Sequence, residues 1–330
     1  MIDQYNRDIN YLRVSVTDRC NLRCQYCMPK EGLSRIGHND ILRYEEILRV
    51  IRAGVRLGVS KVRITGGEPL VRRGMVDFIA RLKTIPGLAD ISLTTNGILL
   101  KPFAGDLFAA GMKRINISLD SLDKAKYAAI TRGGDLNAVL AGIREADRVG
   151  FAPIKINTVA IKGFNDDEIQ AFAAHTIDKP YQVRFIELMP LGHAGADNHR
   201  HYLSNDVVAD IIRQAYPLEI VNGGKDKMDG PARLYRIVGG RGRIGFISPI
   251  SHHFCHACNR LRLTSDGRLR ACLLLDEEVD LKGPLRDGCS DGDIEELMKS
   301  AIARKPWGHT MIKEEHHLRK CVKEMATIGG

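Results

Sequence analysis

Two groups of three cysteines are the residues of this sequence with the clearest chemical potential. The first group has the spacing Cys-x3-Cys-x2-Cys and consists of Cys20, Cys24 and Cys27. The second has the spacing Cys-x2-Cys-x13-Cys and consists of Cys255, Cys258 and Cys272. Structural zinc sites are closed by four protein ligands, so each group is one ligand short of such a site. Two incomplete sets near opposite ends of the chain need one explanation.

The first set lies in a short loop, CNLRCQYC, that directly follows an apolar run. Three thiolates can bind three irons of a cubic 4Fe–4S cluster and leave the fourth iron open to a substrate. We therefore predict a 4Fe–4S cluster with one open iron at this loop. The alternative is a zinc site completed by His38.

The spacing of the second set alone leaves zinc and a second cluster equally open, because His252, His253 and His256 are close by. The residues between the cysteines shift this balance. Arg260 and Arg262 alternate with leucines, so on a strand both would point to the same face. Paired guanidinium groups bind phosphate oxygens bidentately. The sequence therefore predicts an anion site beside the second set.

The elements that must position these residues alternate between strands and helices from residue 11 to about 187. Six such repeats predict parallel strands joined by right-handed crossovers. The motifs CNLRCQYC, GGEP, TNG, SLDS and ELMP each follow a predicted strand. Because active sites of such folds lie at the carboxyl ends of the strands, these motifs should meet at one mouth. The predicted strands are 11–17, 61–65, 91–95, 113–119, 153–161 and 181–189.

The pattern changes after about residue 190. Three short strands at 218–221, 233–238 and 243–248 look antiparallel, and an acidic helix is predicted at 291–303. We predict an α/β fold: a partial (βα)6 barrel of the triosephosphate isomerase type over 1–200. An α+β extension over 201–330 would carry the second cluster and cover the barrel mouth.

The composition is that of an ordinary globular protein, with 44% hydrophobic residues in 330. An excess of 49 Lys and Arg over 40 Asp and Glu gives a net charge of +9, which favours an anionic partner. No apolar stretch is long enough for a membrane span, and the N-terminus lacks the apolar segment of a signal peptide. Eight cysteines favour metal or redox chemistry in the cytoplasm, where disulfides are rare. We expect a cytoplasmic protein that binds neither membrane nor nucleic acid.

The first cysteine loop and GGEP together resemble the radical S-adenosylmethionine (SAM) superfamily. That superfamily has Cys-x3-Cys-x2-Cys with an aromatic residue before the last cysteine, here Tyr26, and GGEP one strand later. The resemblance implies that SAM binds the open iron of the first cluster and yields a 5′-deoxyadenosyl radical. It also implies SAM contacts at Tyr26, Gly67, Ser118 and Met189.

The resemblance narrows to the GTP 3′,8-cyclase family of molybdenum cofactor biosynthesis. Its motifs extend over nearly the whole chain, from RITGGEP, LTTNG and NISLDSL to RFIELMP, NRLRLT and a terminal double glycine. Membership implies two 4Fe–4S clusters and conversion of GTP to (8S)-3′,8-cyclo-7,8-dihydroguanosine 5′-triphosphate after removal of the ribose 3′-hydrogen. The second cluster would bind the guanine. The implied GTP contacts are Arg13, Arg63, Thr94, Lys155, Arg260 and Arg262, and Gly329 and Gly330 would form a catalytic tail.

The same resemblance implies partners. GTP is the substrate, flavodoxin or ferredoxin the reductant, and a cyclic pyranopterin monophosphate synthase the next enzyme. A homodimer is one option for the assembly. Cys289 and Cys321 match no cluster position and are interpreted as structural.

Two alternatives stand beside this interpretation. A peptide-modifying radical SAM enzyme would also have an auxiliary cluster near its C-terminus. The second alternative is a protein that binds nucleic acid, in which the second cysteine set would bind zinc and the basic residues would contact phosphates.

Overall fold

The computed structural model describes residues 1–34, 36–191, 198–221, 230–308, 321 and 323–329. Within these ranges twelve strands form one sheet. The strands are β1 (Tyr11–Ser15), β2 (Lys61–Thr65), β3 (Asp90–Thr95), β4 (Arg114–Ser118), β5 (Ile154–Ala160), β6 (Gln182–Glu187), β7 (Leu218–Ile220), β8 (Arg233–Ile237), β9 (Arg243–Ile247), β10 (Arg260–Leu263), β11 (Arg268–Arg270) and β12 (Val279–Asp280). The helices are α1 (Tyr44–Arg56), α2 (Met75–Lys83), α3 (Leu100–Ala109), α4 (Lys124–Thr131), α5 (Leu136–Val149), α6 (Ile169–Asp178), α7 (Asn205–Arg213), α8 (Lys282–Arg286), α9 (Asp291–Ala303) and α10 (Met325–Ile328).

The sheet has the order β12-β11-β10-β1-β2-β3-β4-β5-β6-β9-β8-β7. From β10 to β9 all neighbours are parallel. The outer strands on both sides are antiparallel. The six predicted strand–helix repeats therefore form the centre of the sheet, and the predicted α/β partial barrel is confirmed.

The C-terminal part does more than cover the mouth, because it continues the sheet at both edges. β10 pairs with β1 and β9 pairs with β6. Each addition satisfies the backbone groups of a strand that would otherwise be an open edge. Among the described strands β9 and β10 are not neighbours, so the barrel is not closed. The proposed division at residue 200 stays a prediction.

The strands position two kinds of side chain on opposite faces. On β1, Leu12 and Val14 are fully buried in the hydrophobic core. Tyr11 and Arg13 alternate with them and therefore point to the other face. There they line the internal cavity described below. No helix in the described ranges is long and apolar enough to cross a membrane.

Candidate active site

A single cavity of about 320 Å³ brings the two cysteine sets together. All six cysteines line it, although about 230 residues of sequence separate the two sets. All eight cysteines of the chain are free thiols. The lining residues predicted from the sequence to bind SAM or GTP are Arg13, Tyr26, Arg63, Gly67, Thr94, Ser118, Met189, Arg260 and Arg262.

The first cysteine loop follows β1 and is held against the end of α4. Arg23 N donates to Thr131 O at 3.2 Å, and Gln25 N donates to Ile130 O at 3.0 Å. The amide of Cys27 donates to Cys24 O at 2.9 Å, which folds the loop into a tight turn. Burial raises the pKa of Cys20 to about 12. A thiolate here therefore needs a cationic partner such as an iron of a cluster.

The two glycines of GGEP are required by the backbone of this same loop. A Cβ on Gly67 would lie 2.6 Å from the carbonyl carbon of Arg19 and closer still to its oxygen. Gly66 has a φ of +148° and approaches Thr17 in the same way. The glycines thus let the loop that contains Cys20 lie directly on the end of β2.

Glu68 joins the ends of two strands below this loop. Its buried carboxylate accepts hydrogen bonds from Thr95 Oγ1 at 2.8 Å and from the amides of Asn96 and Leu70 at 2.6 and 3.1 Å. Burial raises the pKa of Glu68 to about 7 despite these donors. Asn96 in turn donates to Asn21 Oδ1 at 2.8 Å, so GGEP and TNG hold the cysteine loop jointly.

The predicted SAM contacts lie on neighbouring parts of the cavity wall. Tyr26 Oη donates to Asp120 Oδ2 at 2.6 Å, and burial raises the pKa of Asp120 to about 6. Ser118 is the last residue of β4. Met189 follows β6 and packs beside Cys272 and Ile328 in a small apolar cluster.

The second cysteine set is held by two basic residues that the sequence did not single out. Lys305 Nζ donates to Cys258 Sγ at 3.5 Å, to Arg260 O at 2.8 Å and to Ala271 O at 2.6 Å. Arg7 donates to Cys255 O at 2.9 Å and to Pro306 O at 2.9 Å. Burial alone would raise the pKa of Cys258, but Arg260 and Lys305 outweigh it and the pKa falls to about 6. Cys258 is thus prepared to be a thiolate.

Register across three strands gathers the predicted arginines. Arg13 on β1 lies opposite Arg63 on β2 and opposite Arg262 on β10. Burial, and then repulsion by Arg260, lowers the pKa of Arg262 to about 9. Buried positive charges on paired positions of adjacent strands repel each other, so they are costly unless an anion binds between them.

Two further basic residues belong to this group, Arg184 on β6 and Lys61 on β2. Arg184 lines the cavity, and Lys61 Nζ lies 4.8 Å from the centre of the Tyr11 ring. The sequence contained a signal for both residues, because each is a basic residue on a strand among apolar residues, as Arg63 is. Lys155 is buried on β5 but is not among the cavity-lining residues. Burial, and then Arg184, lowers the pKa of Lys155 to about 6.

The C-terminal tail reaches one of these arginines, Arg262. Arg262 Nη1 donates to Gly329 O at 2.6 Å. A Cβ on Gly329 would lie 2.6 Å from Thr65 Oγ1 and 3.0 Å from Ser15 Cβ, at the ends of β2 and β1. Gly330 lies outside the described residues.

The remaining predictions concern the histidines and the two single cysteines. In the described part of the chain, no three His, Cys, Asp or Glu side chains surround one metal-ion position. A cubic cluster needs no such point, because each thiolate binds a different iron. His252 Nε2 lies 2.7 Å from Asp206 Oδ2. Cys321 is buried and accepts a hydrogen bond from Arg270 at 3.4 Å, while Cys289 packs against the hydrophobic core.

Several buried polar atoms of the cavity wall fit a polar ligand. Arg63 Nε, Thr94 Oγ1 and Asn157 Oδ1 are buried and have no hydrogen-bond partner within the described structure. Leaving such groups unsatisfied is costly, so a ligand with many donors and acceptors fits this wall. Two sets of three thiols, the second divided between the segment before β10 and the segment after β11, fit two clusters with one open iron each.

Two family models match the chain side by side. Residues 14–175 match the model described as "Radical SAM superfamily". Residues 181–311 match the model described as "Molybdenum Cofactor Synthesis C".

Solved structures share the fold at low sequence identity. Streptococcus suis SuiB bound to precursor peptide SuiA has a TM-score of 0.58 and 16% identity, covering 94% of this chain and 74% of that one. A histidine-tagged form of anSMEcpe with bound AdoMet has a TM-score of 0.57 and 15% identity, covering 90% and 78%. At these identities the likeness concerns the fold alone.

Curated relatives match from end to end. A protein of Alkaliphilus oremlandii is 49% identical over 330 residues, which is 100% of both chains, and is named GTP 3′,8-cyclase. Proteins with the same name from Thermodesulfovibrio yellowstonii and Moorella thermoacetica are 49% and 48% identical, each again over 100% of both chains. This chain therefore belongs to the GTP 3′,8-cyclase family of the radical SAM superfamily.

Proposed function

We propose that the protein converts GTP to (8S)-3′,8-cyclo-7,8-dihydroguanosine 5′-triphosphate, the first step of molybdenum cofactor biosynthesis. The observation that carries this proposal is one cavity lined by two incomplete cysteine sets and by a group of arginines. A neutral peptide substrate has no charge that would match these arginines. End-to-end similarity to GTP 3′,8-cyclases supports the same conclusion.

The cofactors are two 4Fe–4S clusters and SAM. We assign the first cluster to Cys20, Cys24 and Cys27 and the second to Cys255, Cys258 and Cys272. When bound, the first cluster and SAM supply the 5′-deoxyadenosyl radical that removes the ribose 3′-hydrogen of GTP. The chain's own residues bind, orient and shield the two ligands.

The residues near the first cluster position the cluster and SAM. Gly66 and Gly67 let the loop that contains Cys20 lie directly on the end of β2, because a side chain at either position would collide with residues 17–19. Tyr26 is fixed by Asp120, so its backbone and ring present one defined surface. Ser118 and Met189 contribute a hydroxyl and a polarisable thioether to the same wall.

The residues near the second cluster bind GTP mainly through their positive charge. We assign the triphosphate to Arg13, Arg260 and Arg262, with Arg63 and Thr94 as further GTP contacts. Lys155 does not line the cavity, and we assign it to GTP on the resemblance alone. Charge-assisted hydrogen bonds contribute about 1.5–3 kcal/mol each, so several of them hold a triphosphate firmly. Burial, and then repulsion by Arg260, lowers the pKa of Arg262, and a bound triphosphate would offset that repulsion.

Substrate and tail meet at the same guanidinium. Gly329 O accepts from Arg262, so a triphosphate that binds Arg262 either shares this group or displaces the tail. We assign a role in activity to Gly329 and Gly330. Support comes from the contact at Gly329 and from the resemblance noted above.

The wider setting is proposed on the resemblance and the composition. The electron donor is flavodoxin or ferredoxin, and the product passes to a cyclic pyranopterin monophosphate synthase. Eight free thiols support a cytoplasmic location. A homodimer stays one option for the assembly.

The test is anaerobic reconstitution followed by chemical and product analysis. We expect about eight irons per chain, the content of two cubic clusters, and formation of the cyclised triphosphate from GTP, SAM and a reductant. Fully reconstituted protein that cleaves SAM but leaves GTP unchanged would disprove the proposed reaction. Colourless protein containing zinc would disprove the cofactor assignment.

A further inference from the structure

Tyr11, the first residue of β1, lies among the basic residues of the cavity. Its side chain is 3% exposed and lines the cavity. In the sheet it lies opposite Lys61 on β2 and opposite Arg260 on β10. Because side chains alternate along a strand, Tyr11 shares its face with Arg13.

The hydroxyl of Tyr11 has no hydrogen-bond partner within the described structure. A phenol has one proton to donate and therefore needs an acceptor. Its charged neighbours offer none: Lys61 Nζ lies 4.8 Å from the ring centre and Arg63 Cζ lies 5.6 Å from it. Lysine and arginine have donors only. A ligand bound in the cavity can supply the acceptor that the described residues lack.

The surroundings also say which kind of acceptor fits. Burial alone would raise the pKa of Tyr11, but Arg63, Arg13, Lys61 and Arg260 outweigh burial and lower the pKa instead. The hydroxyl therefore lies in a strongly positive region. The part of a nucleotide that matches a positive region is its phosphate chain, since the base and ribose are uncharged.

We infer that the Tyr11 hydroxyl donates a hydrogen bond to a phosphate oxygen of the bound nucleoside triphosphate. This inference rests on the proposed function, because it takes GTP as the ligand. Tyr11 then adds a neutral donor to the arginines. It can approach the phosphate chain without adding to the charge repulsion that burdens Arg13 and Arg262.

The test is the variant Tyr11→Phe, which removes one oxygen and keeps the buried ring. Affinities for GTP, GMP, inorganic tripolyphosphate and SAM are measured anaerobically on reconstituted protein. A hydrogen bond to a charged group corresponds to a loss of about tenfold or more in affinity for GTP. The affinity for tripolyphosphate should fall to a similar extent, and the affinity for SAM should equal that of the parent protein.

Tyr127→Phe is the matched control. Tyr127 is also buried, and its hydroxyl also has no partner in the described ranges, but it does not line the cavity. Its variant should bind GTP like the parent protein. GMP locates the contact: a weakened affinity for GMP indicates the first phosphate, and an unchanged one indicates the second or third.

Three results would overturn the inference. Tyr11→Phe could bind GTP as tightly as the parent protein. It could lose affinity for GTP while tripolyphosphate binding stays the same, which would move the contact to the guanosine. It could lose SAM binding to the same degree, which would indicate a general structural loss. By contrast, a parent protein that binds no GTP would refute the proposed function itself.

Discussion

Gly67→Ala tests whether GGEP supports the first cysteine loop as the structure indicates. The added Cβ would lie 2.6 Å from the carbonyl carbon of Arg19 and 2.9 Å from Asp18 O. Both are backbone atoms, so the collision cannot be relieved by rotating a side chain. Overpacking costs about 1–3 kcal/mol, and a collision with backbone belongs at the upper end.

This cost falls on the segment that leads into Cys20. We expect the variant to lose the first cluster and keep the second, so that iron falls from about eight to about four per chain. The melting temperature of the cluster-free protein should fall by about 5 °C. SAM cleavage should be lost, while binding of GTP persists.

Gly105→Ala is the control for this substitution. Gly105 lies within α3, and a Cβ there would meet no atom within 4 Å. Alanine in a helix interior is favoured over glycine by about 0.5–1 kcal/mol, so this variant should be slightly more stable than the parent. If Gly67→Ala assembled both clusters and melted within about 1 °C of the parent, the proposed support of the loop would be wrong.

Four further predictions concern single side chains. Arg260→Ala should weaken GTP binding by about tenfold or more with both clusters assembled; an unchanged affinity would contradict the triphosphate assignment. Cys24→Ser should abolish SAM cleavage but keep the second cluster, as electron paramagnetic resonance can show. Lys305→Met removes a donor to Cys258 Sγ, so the potential of the second cluster should fall by on the order of 50 mV while that of the first stays constant. Glu68 has a folded-state pKa of about 7 against 4.5 unfolded, so it should make the unfolding free energy fall by about 3 kcal/mol as pH rises through this range; Glu68→Gln should remove this slope, and an identical pH profile would disprove the shift.

Local pattern was enough to predict the central strands and helices. The strand at 61–65 and the helix at 291–303 are found with the predicted bounds, because both have a clear hydrophobic period and clear ends. The short strands β11 and β12 were not predicted, since two or three residues carry too little pattern. The helix α7 was missed although its signal was present, because Ser204 caps it and its apolar residues have helical spacing. The pairing of β10 with β1 was also beyond the sequence, because register between distant segments is set by packing.

The six cysteines and the pair Arg260 and Arg262 were identified from their spacing, which is chemically unusual, whereas Arg13 and Arg63 were predicted from the family resemblance. Lys305 was not, since it follows the end of α9 in a segment with no motif. Its importance comes from three acceptors on two other segments, which only the folded chain brings together. Tyr11 was likewise indistinguishable from an ordinary strand tyrosine.

Ribosomes complete β1 long before they complete β10, its neighbour in the sheet, because β10 begins about 245 residues later in the chain. Until the last part of the chain emerges, one edge of β1 has unpaired backbone groups. Parallel pairing between such distant segments is slow, so the barrel stays half-built for much of synthesis. A cluster loaded early onto Cys20, Cys24 and Cys27 would be open to water and oxygen. The timing of C-terminal folding therefore governs when oxygen-sensitive iron can be inserted safely.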